Sequence, residues 1–246
     1  MALLKFGKSK KSPNSPQGKF IVIDGADGTG KTTQFELLVK ELKASGYAVE
    51  VTDFPQYGQK SAGMVEEYLD GKYGQLNPQA ASIFYAVDRF DASFKIREWL
   101  NSGKIVLSNR YVTANAGHQG GKIADDAQRF KYFKWLNNLE YEIFGIPRPD
   151  LNVILHIPAE KTWELMEARR KKVAHNSVHK KKDLHEADLG HLKNAEKVYL
   201  QIAKLFPNTK LVECAPQGKL MAPQEVHNKV WELVRRIALK DVKPTS

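Results

Sequence analysis

The segment Phe20-Ile21-Val22-Ile23-Asp24 runs directly into Gly25-Ala26-Asp27-Gly28-Thr29-Gly30-Lys31-Thr32-Thr33. An apolar strand, a Gly-x4-Gly-Lys-Thr turn and a helical pattern that continues to Gly46 are the phosphate-cradling P-loop in its required context. Glycines at 25, 28 and 30 let successive backbone N–H groups turn toward phosphate oxygens. The N-terminal end of the following helix adds a positive field. In this pattern Lys31 reaches the β- and γ-phosphates and the Thr32 hydroxyl ligates Mg²⁺, with Thr29 and Thr33 completing the nucleotide-binding run. A glycine-rich surface turn is the competing reading, and it explains neither the strand before the loop nor the helix after it. The chain is therefore expected to bind a nucleoside triphosphate and to be built around a parallel sheet.

The rest of the sequence agrees with that frame. Short strand patterns at 48–53, 104–108, 151–157 and 209–214 alternate with helical patterns at 31–44, 61–70, 78–100, 124–144, 159–171, 187–206 and 223–239. Five short strands separated by helices predict an α/β P-loop NTPase three-layer fold: a five-stranded parallel sheet with helices on both faces. No linker-like stretch interrupts residues 19–240, so a single domain is expected, with a lid at about 170–186, a disordered basic tail at 1–18 and a short C-terminal tail at 241–246. The net charge is +10, and much of it is local. Lys5, Lys8, Lys10 and Lys11 sit in the first tail with no acid, and residues 169–182 carry seven Arg or Lys. The diffuse basic face interleaved with aromatics that marks a nucleic-acid binder is not evident, so no nucleic-acid partner is expected. No apolar run approaches the roughly 18 residues of a membrane helix, so no membrane partner is expected either. The first tail lacks the apolar stretch of a secretory signal. Cys214 is the only cysteine, which rules out an internal disulfide framework and points to a reducing, cytoplasmic compartment.

Ligands of open parallel sheets bind at the carboxyl ends of the strands, so the residues there are the candidates. After the second strand, Phe54, Pro55 and Tyr57 could wall an acceptor site or plug a core. Within 78–100, Tyr85 and Arg89 lie four apart and share a helix face. A ring and a guanidinium so placed can stack on a planar base and read its edge; the alternative is a core Tyr beside a surface Asp88–Arg89 pair. After the third strand, Arg110 is poised to grip a phosphate bidentately, followed by Asn115 and His118, a lone histidine with structural and functional readings. The basic run from Arg169 to Glu186 reads either as solvated surface or as a closing lid between two helices. His175, His179 and His185 lack the cysteine partners and fixed spacing of a zinc site.

Together, and in this order and spacing, these segments resemble the thymidylate kinase family across roughly residues 19–240. Asp24 to Gln34 resembles that family's P-loop, including the carboxylate of Asp27. Phe54-Pro55-Gln56-Tyr57-Gly58, Phe84 to Arg89, and Asn109-Arg110-Tyr111 through Asn115 resemble three further motifs, and Asp183-Leu184-His185-Glu186 the end of the lid. The resemblance implies transfer of the γ-phosphoryl group of ATP to dTMP, a Mg²⁺ requirement and a homodimer. It implies that Asp27 faces the acceptor's sugar and helps organise Mg²⁺, that Tyr85 stacks on thymine, and that Arg89 bonds the base edge with Asn115 assisting. It further implies that Arg110 binds the phosphate between the two nucleotides, that His118 faces the deoxyribose, that Arg169 begins the lid that supplies cations, and that Glu186 belongs to the substrate set. The chain departs from the family pattern at Asn109, where Asp is usual, at Gln56, where a phosphate-binding Arg is common, at His118, where Tyr is common, and in a lid richer in lysine than arginine. Outside that resemblance, the residues alone admit a kinase for another deoxynucleoside monophosphate or a nucleoside, or a P-loop NTPase switch that is not a kinase.

Overall fold

The computed structural model describes residues 18–174 and 189–244, with side chains undescribed from 169 to 174. The basic tail before Gly18, Arg169 as a side chain, the greater part of the lid and Glu186 thus lie outside the described residues. Chain order is β1 (Lys19–Asp24), α1 (Lys31–Ala44), β2 (Val49–Asp53), α2 (Gly63–Leu69), α3 (Pro78–Asn101), β3 (Ile105–Asn109), α4 (Val112–Gly120), α5 (Asp126–Asn137), β4 (Leu151–His156), α6 (Ala159–Ala174), α7 (Leu189–Leu205), β5 (Thr209–Glu213) and α8 (Pro223–Leu233). Both α5 and α8 run on into one wider turn.

All five strands are parallel, in the order β2-β3-β1-β4-β5. From β1 the chain crosses to the edge at β2, returns to β3 beside β1, and then passes to β4 and β5 on the other side, so the crevice at the carboxyl end of β1 is the topological switch point where such sheets bind ligands. Strand β1 alternates its side chains between two cores. Phe20 and Val22 pack with Ile96, Tyr111, Phe133 and Tyr199 on one face; Ile21 and Ile23 pack with Leu38, Leu42, Val226 and Val230 on the other. Helices therefore cover both faces, as the sequence pattern implies.

Helix α3 begins where Asn77-Pro78 predicts: Asn77 Oδ1 accepts from the Ala80 N–H at 2.8 Å, with proline in the first turn. Helix α4 is the element that the sequence pattern does not give. Its residues, Val112-Thr-Ala-Asn-Ala-Gly-His-Gln-Gly120, include two glycines and two β-branched residues, a poor helix former by propensity. Eight of its nine residues are buried, and packing against α7 decides the outcome. A Cβ at Gly117 would sit 2.6 Å from the Tyr199 ring, so glycine is what lets the two helices approach. At the chain's margins, the Gly18 N–H donates to Leu100 O at 2.9 Å and Val242 packs on the second core.

Candidate active site

The P-loop spans residues 25–30, between β1 and α1. Gly25 has φ 140°, and a Cβ there would lie 2.4 Å from Leu155 O on β4, so only glycine fits. Gly28 and Gly30 also have positive φ, and Gly30 caps α1. Thr29 is buried, its hydroxyl donating to Ala26 O at 2.9 Å, while Thr32 and Thr33 stand exposed at the start of α1. Lys31 is buried and folds back over its own loop. Its ammonium donates to Gly25 O at 3.0 Å and Ala26 O at 2.8 Å and lies 3.7 Å from Asp27. Burial and the charge of Arg110, opposed by Asp27 and Asp24, push Lys31 down to about 8.

Beneath the loop, Asp24 is fully buried. Its carboxylate accepts from the Gly25 N–H (2.8 Å), the Thr113 hydroxyl (2.5 Å) and the Tyr199 hydroxyl (2.9 Å). It thereby fastens the loop to α4 and α7. Burial raises its pKa, against the hydrogen bond from Thr113 and the charges of Arg110 and Lys31.

Beside the loop opens a cavity of about 220 Å³ lined by Asp27, Phe54, Pro55, Tyr57, Tyr85 and Arg89 together with Arg110, Asn115 and His118. The sequence candidates for the acceptor site within the described residues thus converge on one space. Phe54 is buried against Tyr111, so it serves the core and the cavity wall at once. Tyr57 is exposed, and Tyr85 is half-buried, edge-on to Tyr68. Arg110 stands between loop and cavity. It has φ 64°, a left-handed conformation costly for a residue with a side chain. That turn at the end of β3 aims its guanidinium at Asp27, with which it forms an ion pair, and its Nη1 lies 3.0 Å from His118 Nε2. Burial alone would raise Asp27, but the charges of Arg110 and Lys31 and the hydrogen bond from Arg110 hold its carboxyl well below the usual range.

Arg89 lines the cavity but is not a free reader of it. It is 1% exposed, and its Nε and Nη2 donate to both oxygens of Glu140 at 2.8 and 2.5 Å. Asn115 Nδ2 donates to Ser82 O at 3.0 Å and approaches the same carboxylate at 3.5 Å. The surface Asp88–Arg89 pair does not occur. Asp88 is also buried, and it accepts from the Gln56 N–H, the Gln56 side chain and the Ser61 hydroxyl, pinning the loop after β2 onto α3. Gln56 is thereby committed to Asp88. Asn109 donates its amide to Asp53 on the adjacent strand, and its buried Oδ1 has no partner among the described residues.

Sequence reasoning passed over Asp24, Glu140 and Asp88. Asp24 carried a usable signal: a lone carboxylate ending an apolar strand at a ligand-binding edge. Glu140 and Asp88 sit inside polar helix faces and carry none.

A P-loop with a buried lysine, beside a cavity that Arg110 links to it through Asp27, has the parts of a phosphoryl-transfer enzyme with room for a second substrate. Comparison with known proteins narrows this. The family model for thymidylate kinase matches residues 23–228. A thymidylate kinase from Mycobacterium tuberculosis is 31% identical over 186 residues, covering 74% of this chain and 85% of the relative. A protein of Thermococcus onnurineus named a probable thymidylate kinase is 30% identical over 230 residues, covering 90% and 99%. The solved thymidylate kinase of Candida albicans superposes with a TM-score of 0.68 at 20% identity, covering 89% of this chain and 92% of that one, and shares the fold. The chain belongs to the thymidylate kinase family.

Proposed function

We infer that the protein transfers the γ-phosphoryl group of ATP to the 5′-phosphate of dTMP, giving dTDP and ADP. The observation that carries this reading is the position of Arg110, paired with Asp27 of the P-loop on one side and lining the acceptor cavity on the other. A guanidinium there stands between the phosphate-binding loop and the acceptor cavity. Such chemistry needs alignment and charge neutralisation more than covalent catalysis. An oxygen of the acceptor phosphate is itself the nucleophile, so no general base is required. Lys31 leaves its loop carbonyls for the β- and γ-phosphates, and Arg110 holds the phosphate between the nucleotides. The basic run from Arg169 adds further cations, and Glu186 completes the substrate set. Tyr57 and Tyr85 wall the base and sugar, with Arg89 and Asn115 reaching them as a unit fixed by Glu140.

Thr32 and Asp27 are the residues that would hold Mg²⁺. One exposed hydroxyl and one carboxylate fit an ion that keeps its phosphate and water ligands, and the contacts of Arg110 and Lys31 with Asp27 both fall on Oδ1. When bound, the ion neutralises charge on the transferring group.

A second copy of the chain covers α3. Ile83, Val87, Phe90 and Phe94 are 41, 43, 37 and 62% exposed at helical spacing. An apolar stripe of this kind marks an association surface, and homodimers are its commonest occupant. Among the described residues no helix is long and apolar enough to cross a membrane, and we place the enzyme in the cytoplasm, in keeping with one buried free cysteine.

A coupled assay of ADP release tests the reaction. Release that depends on dTMP and matches dTDP formed supports it; release indifferent to dTMP refutes it.

A further inference from the structure

Arg110 is held by two groups of different kinds. Its Nη2 meets the Asp27 carboxylate, and its Nη1 lies 3.0 Å from His118 Nε2. A guanidinium is a donor only and stays charged, so Nε2 of His118 must accept. The other ring nitrogen, Nδ1, then carries the proton. It lies 3.3 Å from Nε2 of His191, in the first turn of α7. The two imidazoles are within 17° of parallel, with centroids 5.6 Å apart. The nitrogens are closer together than the centroids and so face each other, as an in-plane N–H···N hydrogen bond requires. His191 Nε2 accepts, which makes His191 neutral as well.

We propose that His191 is a positioning residue for phosphoryl transfer: by accepting from His118 Nδ1 it fixes the tautomer that lets His118 orient the Arg110 guanidinium. The chain Asp27–Arg110–His118–His191 runs from the P-loop through β3 and α4 to α7. With both ends of the fork held, the remaining N–H groups of Arg110 face the cavity in one orientation. His118 is nine-tenths buried, edge-on to the Tyr199 ring at 5.9 Å. The other charged groups facing it are Asp27, Arg110 and Lys31. Burial, with the charges of Arg110 and Lys31, outweighs Asp27 and lowers the His118 pKa well below the usual imidazole value. A second proton would set donor against donor at Arg110. His118 is therefore committed at both nitrogens and meets the acceptor as a wall.

This rests on the assignment of Arg110 to the acceptor phosphate, and the test separates the two. Long-range ¹H–¹⁵N spectra of the nucleotide-free protein report histidine tautomers without reference to turnover. In the wild type His118 should be the Nδ1–H tautomer. In His191→Phe, which keeps an aromatic ring but no acceptor, His118 should leave that state. The KM for dTMP should then rise about tenfold, the scale of one lost hydrogen bond, with the KM for ATP unchanged. His191→Gln, which restores an acceptor, should return KM toward wild type. Melting temperatures recorded alongside exclude unfolding as the cause. A wild-type Nε2–H tautomer would overturn the proposal. So would a His191→Phe variant whose His118 tautomer and dTMP KM match wild type, or a His191→Gln variant as impaired as His191→Phe.

Discussion

The two halves of the site are built by different means. The P-loop is largely a backbone device, a turn of N–H donors joined by the side chains of Lys31 and Thr32, and its sequence requirement is local, met within the nine residues Gly25–Thr33. The cavity beside it is a side-chain device lined from the P-loop, β2 and the segment after it, α2, α3, β3 and α4, and its key groups are held by partners far away in sequence. Arg89 and Glu140 are 51 residues apart, and Arg110 and Asp27 are 83 apart. A backbone site tolerates exchange of its surroundings; a side-chain site fails when any partner is removed.

Substitutions in the two halves should therefore fail in different ways. Lys31→Ala should leave the fold intact and lower kcat by about 10²–10³ or more, because the lysine meets charge that grows in the transition state. Steady-state kinetics with a parallel melting curve check this, and wild-type turnover would remove the P-loop lysine from the mechanism. In the cavity the same kind of deletion should act on stability. Glu140→Ala leaves the Arg89 charge buried and unpaired, which costs about 3–5 kcal/mol. Urea unfolding should show it, and the apolar double variant Arg89→Met with Glu140→Leu should regain much of the loss while the KM for dTMP stays high. An unchanged Glu140→Ala midpoint would mean the pair is not a structural unit.

A smaller effect belongs to the edge of the sheet, outside either half. His156 at the end of β4 faces Glu213 at 2.5 Å and Glu196 at 2.8 Å, and Glu196 also accepts from the Ala159 N–H. Burial opposes protonation, but the two carboxylates outweigh it and raise the His156 pKa. A folded pKa above the unfolded value of about 6.5 gives stability that is complete below pH 6.5 and lost as pH rises through the folded value. Melting temperature should therefore fall over that range in the wild type, and less so in His156→Gln. Parallel pH profiles for the two would contradict this. The smallest effect is expected at Tyr57, which is 62% exposed on the cavity rim. Tyr57→Ala should raise the KM for dTMP by about tenfold or less, leaving ATP binding and melting unchanged.

These differences also explain what could be read before the structure. The fold and the nucleotide loop were legible because hydrophobic period and glycine spacing are local. Tyr85, Arg110 and Asn115 were legible as cavity residues because strand ends and helix faces place them. Their partners were not. Nothing in the polar stretch around Glu140 marks it as the buried acceptor for Arg89, and Asp88 looked like a surface charge because its partner Gln56 lies on another element. Helix α4 was hidden because Gly117 and Gly120 lower its propensity while serving its packing on α7.

Loop and cavity meet at Arg110, so Arg110→Ala should separate binding at the loop from turnover at the cavity. ATP affinity is measured by titration, and dTMP turnover by the ADP-coupled assay, on the same preparation. The expected result is ATP binding within about twofold of wild type, with kcat for dTMP lower by about 10² or more. Wild-type kcat with dTMP, or loss of ATP binding alone, would contradict the account.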